Sequence, residues 1–519
     1  MTFDILFVCV IIVAMLAALI ADRLRPGLIL FSAVVLLLAA GIISPKEAIE
    51  GFSNKGMITV ALLYLVSEGV RKSGILERIM YAALPKKNCS VKKANLRFLP
   101  VIGALSAFLN NTPVVVIFAP MIKNWAMKMH LPPTKFLIPL SYATILGGIC
   151  TLIGTTTNLV VDGLMQDNGY EGMAMFELGR VGIFILLVGL FYLVMIAPYL
   201  LPDERKSEQE AEEGDRIPGM ERLELMLSTR FPGLGKTLHE FDFYRHYGAN
   251  VRAIRRAGTV LTGDWMNTPI TKEDTLIVDA DEKFIPTWGE SRVFWTITRL
   301  GEFEKPLGKK KRWIALVLVV LMILGATLGE LPAVKQLVSG IKLDMFFFAC
   351  VTTVIMAWTK MFNPRKYTKF LSWDVLITIA CAFGISKGMM NSGFADLIAG
   401  HIIDLADSVG QSTYGMYIML AVLFLITDIF TELITNNAAA ALAFPLALSI
   451  ANKLGCDPMP FFICICFAAS AAFSTPIGYQ TNLIVQGVGG YKFTDFAKVG
   501  LPMNFIVFLL SVFLIPLFY

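Results

Sequence analysis

The sequence has 519 residues, of which 56% are hydrophobic and only 16% are charged, and its formal net charge is +5. Because soluble globular proteins have about 25% charged residues, this composition excludes an ordinary soluble fold and indicates lipid as the main solvent. The eight cysteines and four histidines show no metal-ligand or disulfide spacing. We therefore expect no transition-metal site and no cofactor, and we expect no nucleic-acid partner.

Apolar runs recur along the chain, at residues 5–20, 28–43, 181–200, 313–328 and 505–518. About 20 apolar residues cross a bilayer as one helix, so the sequence predicts an α-helical polytopic membrane protein. The first run lacks a basic start and is followed by Asp22 and Arg23, so we interpret it as a retained helix rather than a signal peptide. We place the protein in the cell (inner) membrane, in contact with lipid.

Basic residues cluster at residues 23–25, 71–97, 309–312 and 360–369. Cytoplasmic loops carry such an excess of lysine and arginine. Placing all four clusters inside is self-consistent. This arrangement puts both termini outside and residues 202–312 in the cytoplasm.

The first membrane repeat is predicted at residues 1–201. Within it, residues 98–127 begin and end beside basic residues, and Asn110-Asn111-Thr112 separates two arms that are too short to span individually. This pattern predicts a re-entrant hairpin with a buried polar tip. Residues 134–166 predict a helix that is broken at Gly154 and the threonines after it. Irregular backbone at membrane depth persists only where protein covers it or it lines a cavity, so its carbonyl groups can coordinate a cation.

Residues 202–312 differ in composition and predict a small cytoplasmic α/β domain, joined by linkers that include the charged run 204–216. Short strands are predicted at 223–227, 250–254 and 275–278, separated by glycine and proline turns. The segment 221–279 resembles the C-terminal ligand-sensing domain (TrkA-C or RCK-C) of potassium-conductance regulators. The residues that carry the resemblance are Gly235-Lys236-Thr237-Leu238, Tyr247-Gly248, residues 251–256 and Leu276-Ile277-Val278. It implies a regulatory or dimerising module with an unknown small ligand. The alternative is a linker domain that only stabilises assembly.

The second membrane repeat is predicted at residues 313–519, with a hairpin at 417–453 and a broken helix at 459–488. A shift of about 320 residues superposes the two halves. Residues 106–120 fall on 431–445, so that Asn111 meets Asn436, and residues 151–163 fall on 475–487 with eight identities. The charge topology sends equivalent helices in opposite directions, so the repeat is predicted to be inverted. Inverted repeats with broken helices are a transporter architecture whose site lies near the midplane where the halves meet.

Paired hairpin tips, each followed by a helix broken at Gly154-Thr155 or Thr475-Pro476, resemble the divalent-anion:sodium symporter family of the ion-transporter superfamily. The resemblance extends over both membrane halves. That family has a Ser-Asn-Thr signature at each tip, whereas the tips here are Asn110-Asn111-Thr112 and Thr435-Asn436-Asn437, so both central asparagines are kept while outer positions depart from the signature. The altered outer positions leave the substrate open between sulfate and a dicarboxylate. The resemblance favours sulfate because family members with such inserted domains look like sulfate carriers.

The resemblance also implies residue roles. Sodium ions, which act as coupling ions, would be held at two places; the residues are Ser106, Asn110, Asn111 and Gly154 for one ion, and Thr431, Asn436 and the Ala472 region for the other. The small divalent anion would be held by both tips and the second break; the residues are Asn111, Thr112, Asn436, Asn437, Thr475 and Pro476. The resemblance further implies a homodimer, a static scaffold and a mobile part that carries the site across the membrane as an elevator.

Two alternative functions stay open. Asp428 and Glu432 lie one helical turn apart inside the second hairpin, and carboxylates within a membrane are functional candidates. A role in supporting neighbouring groups and a proton or cation role are both open for them. In the second case, the protein would be an anion exchanger or a cation/proton antiporter. A regulated cation channel is the remote alternative, but no TVGYG-type filter string occurs. No combination of nucleophile, base and metal indicates an enzyme.

Overall fold

The structure is a computed structural model that describes residues 3–21, 23–87, 89–203, 220–228, 230–256, 259–261, 263–272, 274–288, 291, 293–299, 309–331, 334, 336, 342–362, 364–409 and 415–519. The predicted linker 204–216 lies outside these residues. Helices dominate the two membrane halves, and a small antiparallel sheet lies between them in the sequence.

The first half is helical throughout. Its helices are α1 (Phe3–Ala21), α2 (Pro26–Ala39), α3 (Pro45–Ser53), α4 (Lys55–Ser73), α5 (Ile75–Ala83), α6 (Val91–Ser106), α7 (Asn111–Lys128), α8 (Leu137–Gly148), α9 (Thr156–Asp167), α10 (Gly179–Met195) and α11 (Ala197–Leu200). We call α6 and α7 hairpin 1, and we call residues 149–155, between α8 and α9, break 1. Pro113 lies in the first turn of α7, where a missing backbone N–H costs no helical hydrogen bond.

The inserted segment forms the sheet domain. Its elements are β1 (Glu221–Leu227), α12 (Phe243–Tyr247), β2 (Ala249–Arg256), β3 (Thr259–Val260), β4 (Asp274–Ala280), α13 (Phe284–Trp288) and β5 (Phe294–Arg299). The strand order is β3-β2-β4-β1-β5, and all pairs are antiparallel. Three of these strands overlap the predicted ones, whereas β3 and β5 were not predicted. A hydrophobic core of leucine, isoleucine and aromatic side chains, among them Leu225, Phe231 and Phe294, holds one face of the sheet.

The second half is also mostly helical. Its helices are α14 (Lys309–Gly329), α15 (Met345–Trp358), α16 (Trp373–Asn391), α17 (Phe394–Val409), α18 (Gly415–Leu433), α19 (Asn436–Leu454), α20 (Met459–Ser470), α21 (Gln480–Gly489) and α22 (Phe493–Phe518). We call α18 and α19 hairpin 2, and we call residues 471–479, between α20 and α21, break 2.

The helices form two packed groups. In the frame group, α1–α4 contact α14–α16, and the closest packing is that of α16 against α2 and α3. In the hairpin group, hairpin 1 contacts α8, α10 and α21, whereas hairpin 2 contacts α9, α20 and α22. The main contacts between the groups are those of α16 with α19 and of α4 with α9. The approach of α4 to α9 is close enough to require glycine at position 56, since a Cβ on Gly56 would lie only 2.4 Å from the carbonyl oxygen of Leu159.

Among the described residues, six helices are long and apolar enough to cross a membrane by length and composition; they are Phe3–Ala21, Lys310–Gly329, Trp373–Asn391, Gly415–Leu433, Asn436–Leu454 and Phe493–Phe518. Large apolar side chains on α1, α14 and α22 are exposed, as expected of surfaces that face lipid.

The hairpin arms are longer than the sequence predicted. Both arms of hairpin 2 have 19 residues, which is long enough to span, so the argument from short arms is wrong for this hairpin. At its tip, Asn437 is buried, whereas Asn436 is partly buried and Thr435 is exposed. Helix α22 also begins well before the predicted apolar run, at Phe493.

Candidate functional site at the hairpin tips

The tip of hairpin 1 is ordered by a hydrogen bond across its turn. Helix α6 ends at Ser106 and α7 begins at Asn111, and the Ser106 hydroxyl donates to Asn111 Oδ1 at 2.6 Å. Both residues are buried. Gly148, at the end of α8, makes room for the tip, because a Cβ there would lie 2.8 Å from Asn111 Oδ1. Asn111 is therefore held in one orientation.

Hairpin 2 repeats this arrangement at the equivalent residues. The Thr431 hydroxyl donates to Asn436 Oδ1 at 3.0 Å and also to the carbonyl of Ala469 at 2.5 Å. Helix α19 begins at Asn436, as α7 begins at Asn111. The same short-range contact thus forms twice from the same residue pattern.

The two breaks are closed by equivalent asparagines. Asn158 Nδ2 donates to the carbonyls of Gly148 and Thr151, at 3.4 and 2.9 Å. Asn482 Nδ2 donates to the carbonyls of Ala472 and Thr475, at 2.8 and 3.1 Å. Carbonyl groups that lose their helical partners at a break need other donors when they are buried. These two asparagines supply them.

Gly154 is the residue on which the shape of break 1 depends. A Cβ at Gly154 would lie 2.4 Å from the carbonyl oxygen of Gly148. The backbone after α8 therefore folds back so closely that only glycine fits. The equivalent residue of break 2, Gly478, donates its N–H to the Thr475 hydroxyl at 3.1 Å.

Each hairpin tip contacts the first residue of the helix that follows the break of the opposite half. The Thr112 hydroxyl donates to Gln480 Oε1 at 3.3 Å, and the Thr156 hydroxyl donates to Asn437 Oδ1 at 3.1 Å. Thr112 corresponds to Asn437 in the repeat, and Gln480 corresponds to Thr156. The two contacts are therefore equivalent, and they join the four interrupted elements at one place.

Tyr479 occupies the centre of this place. Its hydroxyl accepts a hydrogen bond from Asn111 Nδ2 at 2.6 Å and lies 3.2 Å from the hydroxyl of Thr155. It also interacts with the side chain of Asn436. The side chain of Tyr479 thus contacts the asparagines of both tips. From the frame group, Tyr64 of α4 interacts with the side chain of Asn110.

A carboxylate distinguishes break 2 from break 1. Glu432 accepts hydrogen bonds from the backbone N–H groups of Ser474 and Thr475, at 2.7 and 3.0 Å. Asn504 Nδ2 donates to Glu432 at 3.0 Å and to Asp428 at 3.3 Å. The first half has Ala107 where the second has Glu432. Both oxygens of Glu432 are thus used to hold backbone and Asn504, which agrees with a supporting role.

The structure brings the predicted site residues together. Ser106, Asn110, Asn111 and Thr112 lie at one tip, Thr431, Asn436 and Asn437 at the other, and Gly154, Ala472, Thr475 and Pro476 in the two breaks. Sequence reasoning missed Tyr479, Gln480, Thr155 and Thr156. A signal was present, since these are adjacent differing positions inside the otherwise similar blocks 151–163 and 475–487.

The arrangement can bind small ions but offers no means for covalent chemistry. Apart from the Glu432 carboxylate, which accepts hydrogen bonds from backbone N–H groups of break 2 and from Asn504, the side chains at both tips and in both breaks are neutral. They present hydroxyl and amide groups beside the backbone. Within the part of the chain that the structure describes, no group of three or more His, Cys, Asp or Glu residues could hold a metal ion. Neutral donors and acceptors on irregular backbone suit an anion and a hard cation.

Comparison with known proteins indicates a membrane transporter. The chain matches the family described as citrate transporters over residues 11–455 and, in a second overlapping segment, over residues 336–519. An uncharacterised transporter of Synechocystis is 29% identical over 93% of this chain and 92% of its own length.

Two further relatives are named for what they carry. The probable sodium/sulfate cotransporter 3 of Chlamydomonas reinhardtii is 21% identical and covers 89% of this chain and 82% of its own. The sodium-dependent dicarboxylate transporter SdcS of Staphylococcus saprophyticus is 22% identical, over 93% and 81% of the two chains. The crystal structure of the YdaH transporter of Alcanivorax borkumensis has a TM-score of 0.51 over 99% of this chain and 98% of its own. Its 11% identity makes this a likeness of fold alone.

Proposed function

This chain belongs to the citrate transporter family, and from that premise we propose that it carries a small divalent anion across the membrane together with sodium ions. As a member of this family, it is a membrane transporter and not an enzyme.

The observation that carries the proposal is the crossed contact of each hairpin tip with the start of the helix that follows the break of the opposite half. Thr112 meets Gln480 and Asn437 meets Thr156, with Tyr479 between the asparagines of the tips. A divalent anion placed there would find donors but no cationic side chain at the tips or breaks. A charge buried without a partner is very costly, so cations must enter with the anion. This requirement is a physical reason for sodium coupling.

The anion is held by both tips and by the second break; the residues are Asn111, Thr112, Asn436, Asn437, Thr475 and Pro476. One sodium ion is held by Ser106, Asn110, Asn111 and Gly154, and the other by Thr431, Asn436 and the backbone near Ala472. The supporting observation is that each hydroxyl–asparagine pair lies beside the end of the helix that precedes a break. Asn111, which pairs with Ser106, lies beside Gly148 of α8, and Thr431, which pairs with Asn436, lies 2.5 Å from the carbonyl oxygen of Ala469 in α20.

The two helix groups suit an elevator mechanism in an inverted-repeat fold. We infer that the hairpin group moves the site as a unit, whereas the frame group stays fixed and holds a homodimer together. We place both termini outside and the sheet domain in the cytoplasm. Loading sodium would order the tips and neutralise the anion, so that the fully loaded protein crosses and the partly loaded protein does not.

The anion is sulfate or a dicarboxylate, and we favour sulfate. The test is uptake of radiolabelled sulfate and succinate into proteoliposomes, with and without an inward sodium gradient. Sodium-dependent uptake of either anion would support the symport and would identify the substrate class. Uptake that ignores sodium would overturn the coupling.

A second candidate is exchange or cation/proton antiport, which the polar trio Asp428, Glu432 and Asn504 favours because only the second half has it. In that case Asp428→Asn should abolish transport while a proton gradient, rather than a sodium gradient, drives the wild-type protein. Under the symport proposal, Asp428→Asn keeps sodium-dependent uptake. Asp404→Asn, the same substitution at an exposed residue of α17, controls for the altered charge.

A further inference from the structure

The sheet domain has a second covered face. In β1, Leu223, Leu225 and Leu227 point into the core of the domain, so Glu224 and Met226 point the opposite way. These five residues are all buried. Met226 packs with the helices of the membrane halves rather than with the domain. Helices α7 and α21 pack against this second face: α7 contacts β5, and α21 contacts β1 and β4.

A buried ion pair joins this face to hairpin 1. Glu224 Oε1 lies 3.4 Å from Lys123 Nζ of α7 and 3.0 Å from Arg255 Nη1 of β2. The side chains of Lys123 and Glu224 are only 4% and 8% exposed. Burial of the Glu224 carboxyl raises its pKa, but the charges of Lys123 and Arg255 outweigh burial and lower the pKa to about 2. The carboxylate is therefore charged and paired while the domain is docked.

A second contact joins the face to α21. The Thr275 hydroxyl of β4 donates to the carbonyl of Gly487 at 3.3 Å, and a Cβ on Gly487 would lie 2.8 Å from Met226 Cε. Gly163 is the repeat equivalent of Gly487, and its carbonyl accepts from Asn54 Nδ2 at 3.1 Å. Asn54 belongs to the frame group. In the second half, the sheet domain therefore makes the contact that a frame residue makes in the first half.

The domain is also close to the frame group. The charges of Arg25, in the loop before α2, and of Asp374, at the start of α16, act on Arg230 of the sheet domain. Only residues 300–308 separate β5 from the frame helix α14, whereas residues 201–220 separate α11 from β1. A chain spans at most about 3.6 Å per residue, so the connection to the frame helix α14 has about half the reach of the connection to α11.

We propose that the sheet domain is a cytoplasmic latch, fixed to the frame, that holds hairpin 1 through Glu224 and α21 through Thr275. This inference rests on the proposed elevator function. Because the domain contacts the hairpin group and is joined to the frame helix α14 by the shorter connection, movement of the hairpin group relative to the frame would break the contacts of Glu224 and Thr275 in each transport cycle. The latch therefore limits the rate of transport and leaves the anion site unchanged.

The first test compares initial rates of anion uptake for Glu224→Gln and Thr275→Val with the wild type. Each variant is expected to raise the maximal rate two- to fivefold with an unchanged KM, because the latch opens more easily. Thr275→Val is the milder change and covers the case in which Glu224→Gln fails to fold. Glu240→Gln, an exposed change in the same domain, is the matched control. Unchanged maximal rates in both folded variants would overturn the latch.

The second test joins Lys123→Cys to Glu224→Cys with a reducible thiol cross-linker, with Lys123→Cys alone as the control. We expect uptake below a tenth of the control, restored by reduction. Transport by the cross-linked protein at the control rate would overturn the latch. If even the wild type takes up neither anion, the proposed function fails separately. In that case, the cross-link yield still tests whether the sheet domain is docked on hairpin 1. A yield below a tenth contradicts the latch, and a high yield supports it.

Discussion

The hydroxyl of Tyr479 lies 3.2 Å from the hydroxyl of Thr155, and these two residues hold the same position in the two copies of the internal repeat. Direct contact between equivalent residues marks the place where the two halves meet. The asparagine of hairpin 1, Asn111, donates to Tyr479 at the same point. The hydroxyl of Tyr479, in the second half, thus contacts both the hairpin tip and the break of the first half.

Removing that hydroxyl should weaken the anion site and leave the fold intact. Tyr479→Phe keeps the ring and loses the hydrogen bonds to Asn111 and Thr155. A hydrogen bond contributes about 0.5–1.5 kcal/mol, and each 1.4 kcal/mol is about tenfold in affinity. We expect the KM for the anion to rise about tenfold, measured by uptake at saturating sodium. Tyr244→Phe, in the sheet domain, is the control, and an unchanged KM in Tyr479→Phe would remove Tyr479 from the site.

Gly154→Ala should destabilise break 1. The added Cβ would lie 2.4 Å from the carbonyl oxygen of Gly148, so the backbone must shift. Overpacking of this kind costs about 1–3 kcal/mol. We expect a melting temperature several degrees lower in detergent, together with reduced uptake. Gly415→Ala, at the start of α18, is the matched change because a Cβ there would come no closer than 4.0 Å to Met419 Cε. Equal melting temperatures for the two variants would contradict the close approach.

Glu432→Gln should loosen break 2. The carboxylate accepts from two backbone N–H groups and from Asn504, whereas an amide side chain directs one NH₂ group at these donors. Hydrogen bonds to a charged group contribute about 1.5–3 kcal/mol. The melting temperature and the maximal uptake rate should both fall, while the remaining uptake still depends on sodium. Glu171→Gln serves as the control. Loss of the sodium dependence alone, with no loss of stability, would favour a direct role in ion coupling.

The internal repeat made the hairpins, the breaks and most of the site predictable from the sequence. Ser106 with Asn111 and Thr431 with Asn436 are local pairs, and local pairs follow from spacing. The contact between Thr112 and Gln480 joins residues 368 positions apart, so it depends on how the halves pack and was not predictable. The docked face of the sheet domain was missed for another reason. The alternation of Leu223, Glu224 and Leu225 has the pattern of a strand with one solvated face, and only the structure has Lys123 opposite Glu224.

The docking of the sheet domain should not respond to pH in the neutral range. The pKa of Glu224 is lowered from its usual 4.5 to about 2 in the folded protein. Its pairing therefore stabilises the protein fully above about pH 5 and is lost as the pH falls from there towards 2. The contribution is at most about 3 kcal/mol. The difference in melting temperature between wild type and Glu224→Gln should stay constant from pH 8 to about pH 5 and shrink below about pH 4. A difference that disappears between pH 8 and pH 6 would contradict the pairing.

The central claim is that the two tip asparagines hold the transported ions together, and uptake by Asn111→Ala and Asn436→Ala tests it most directly. Each asparagine is held by a hydroxyl of its own hairpin, Ser106 or Thr431, so its loss leaves the helices in place and removes the ligand. Asn267→Ala, an exposed change in the sheet domain, is the control. In proteoliposomes with an inward sodium gradient, we predict no anion uptake above background for either variant, with the same elution profile as the wild type on size exclusion. Wild-type uptake by either variant would contradict the account.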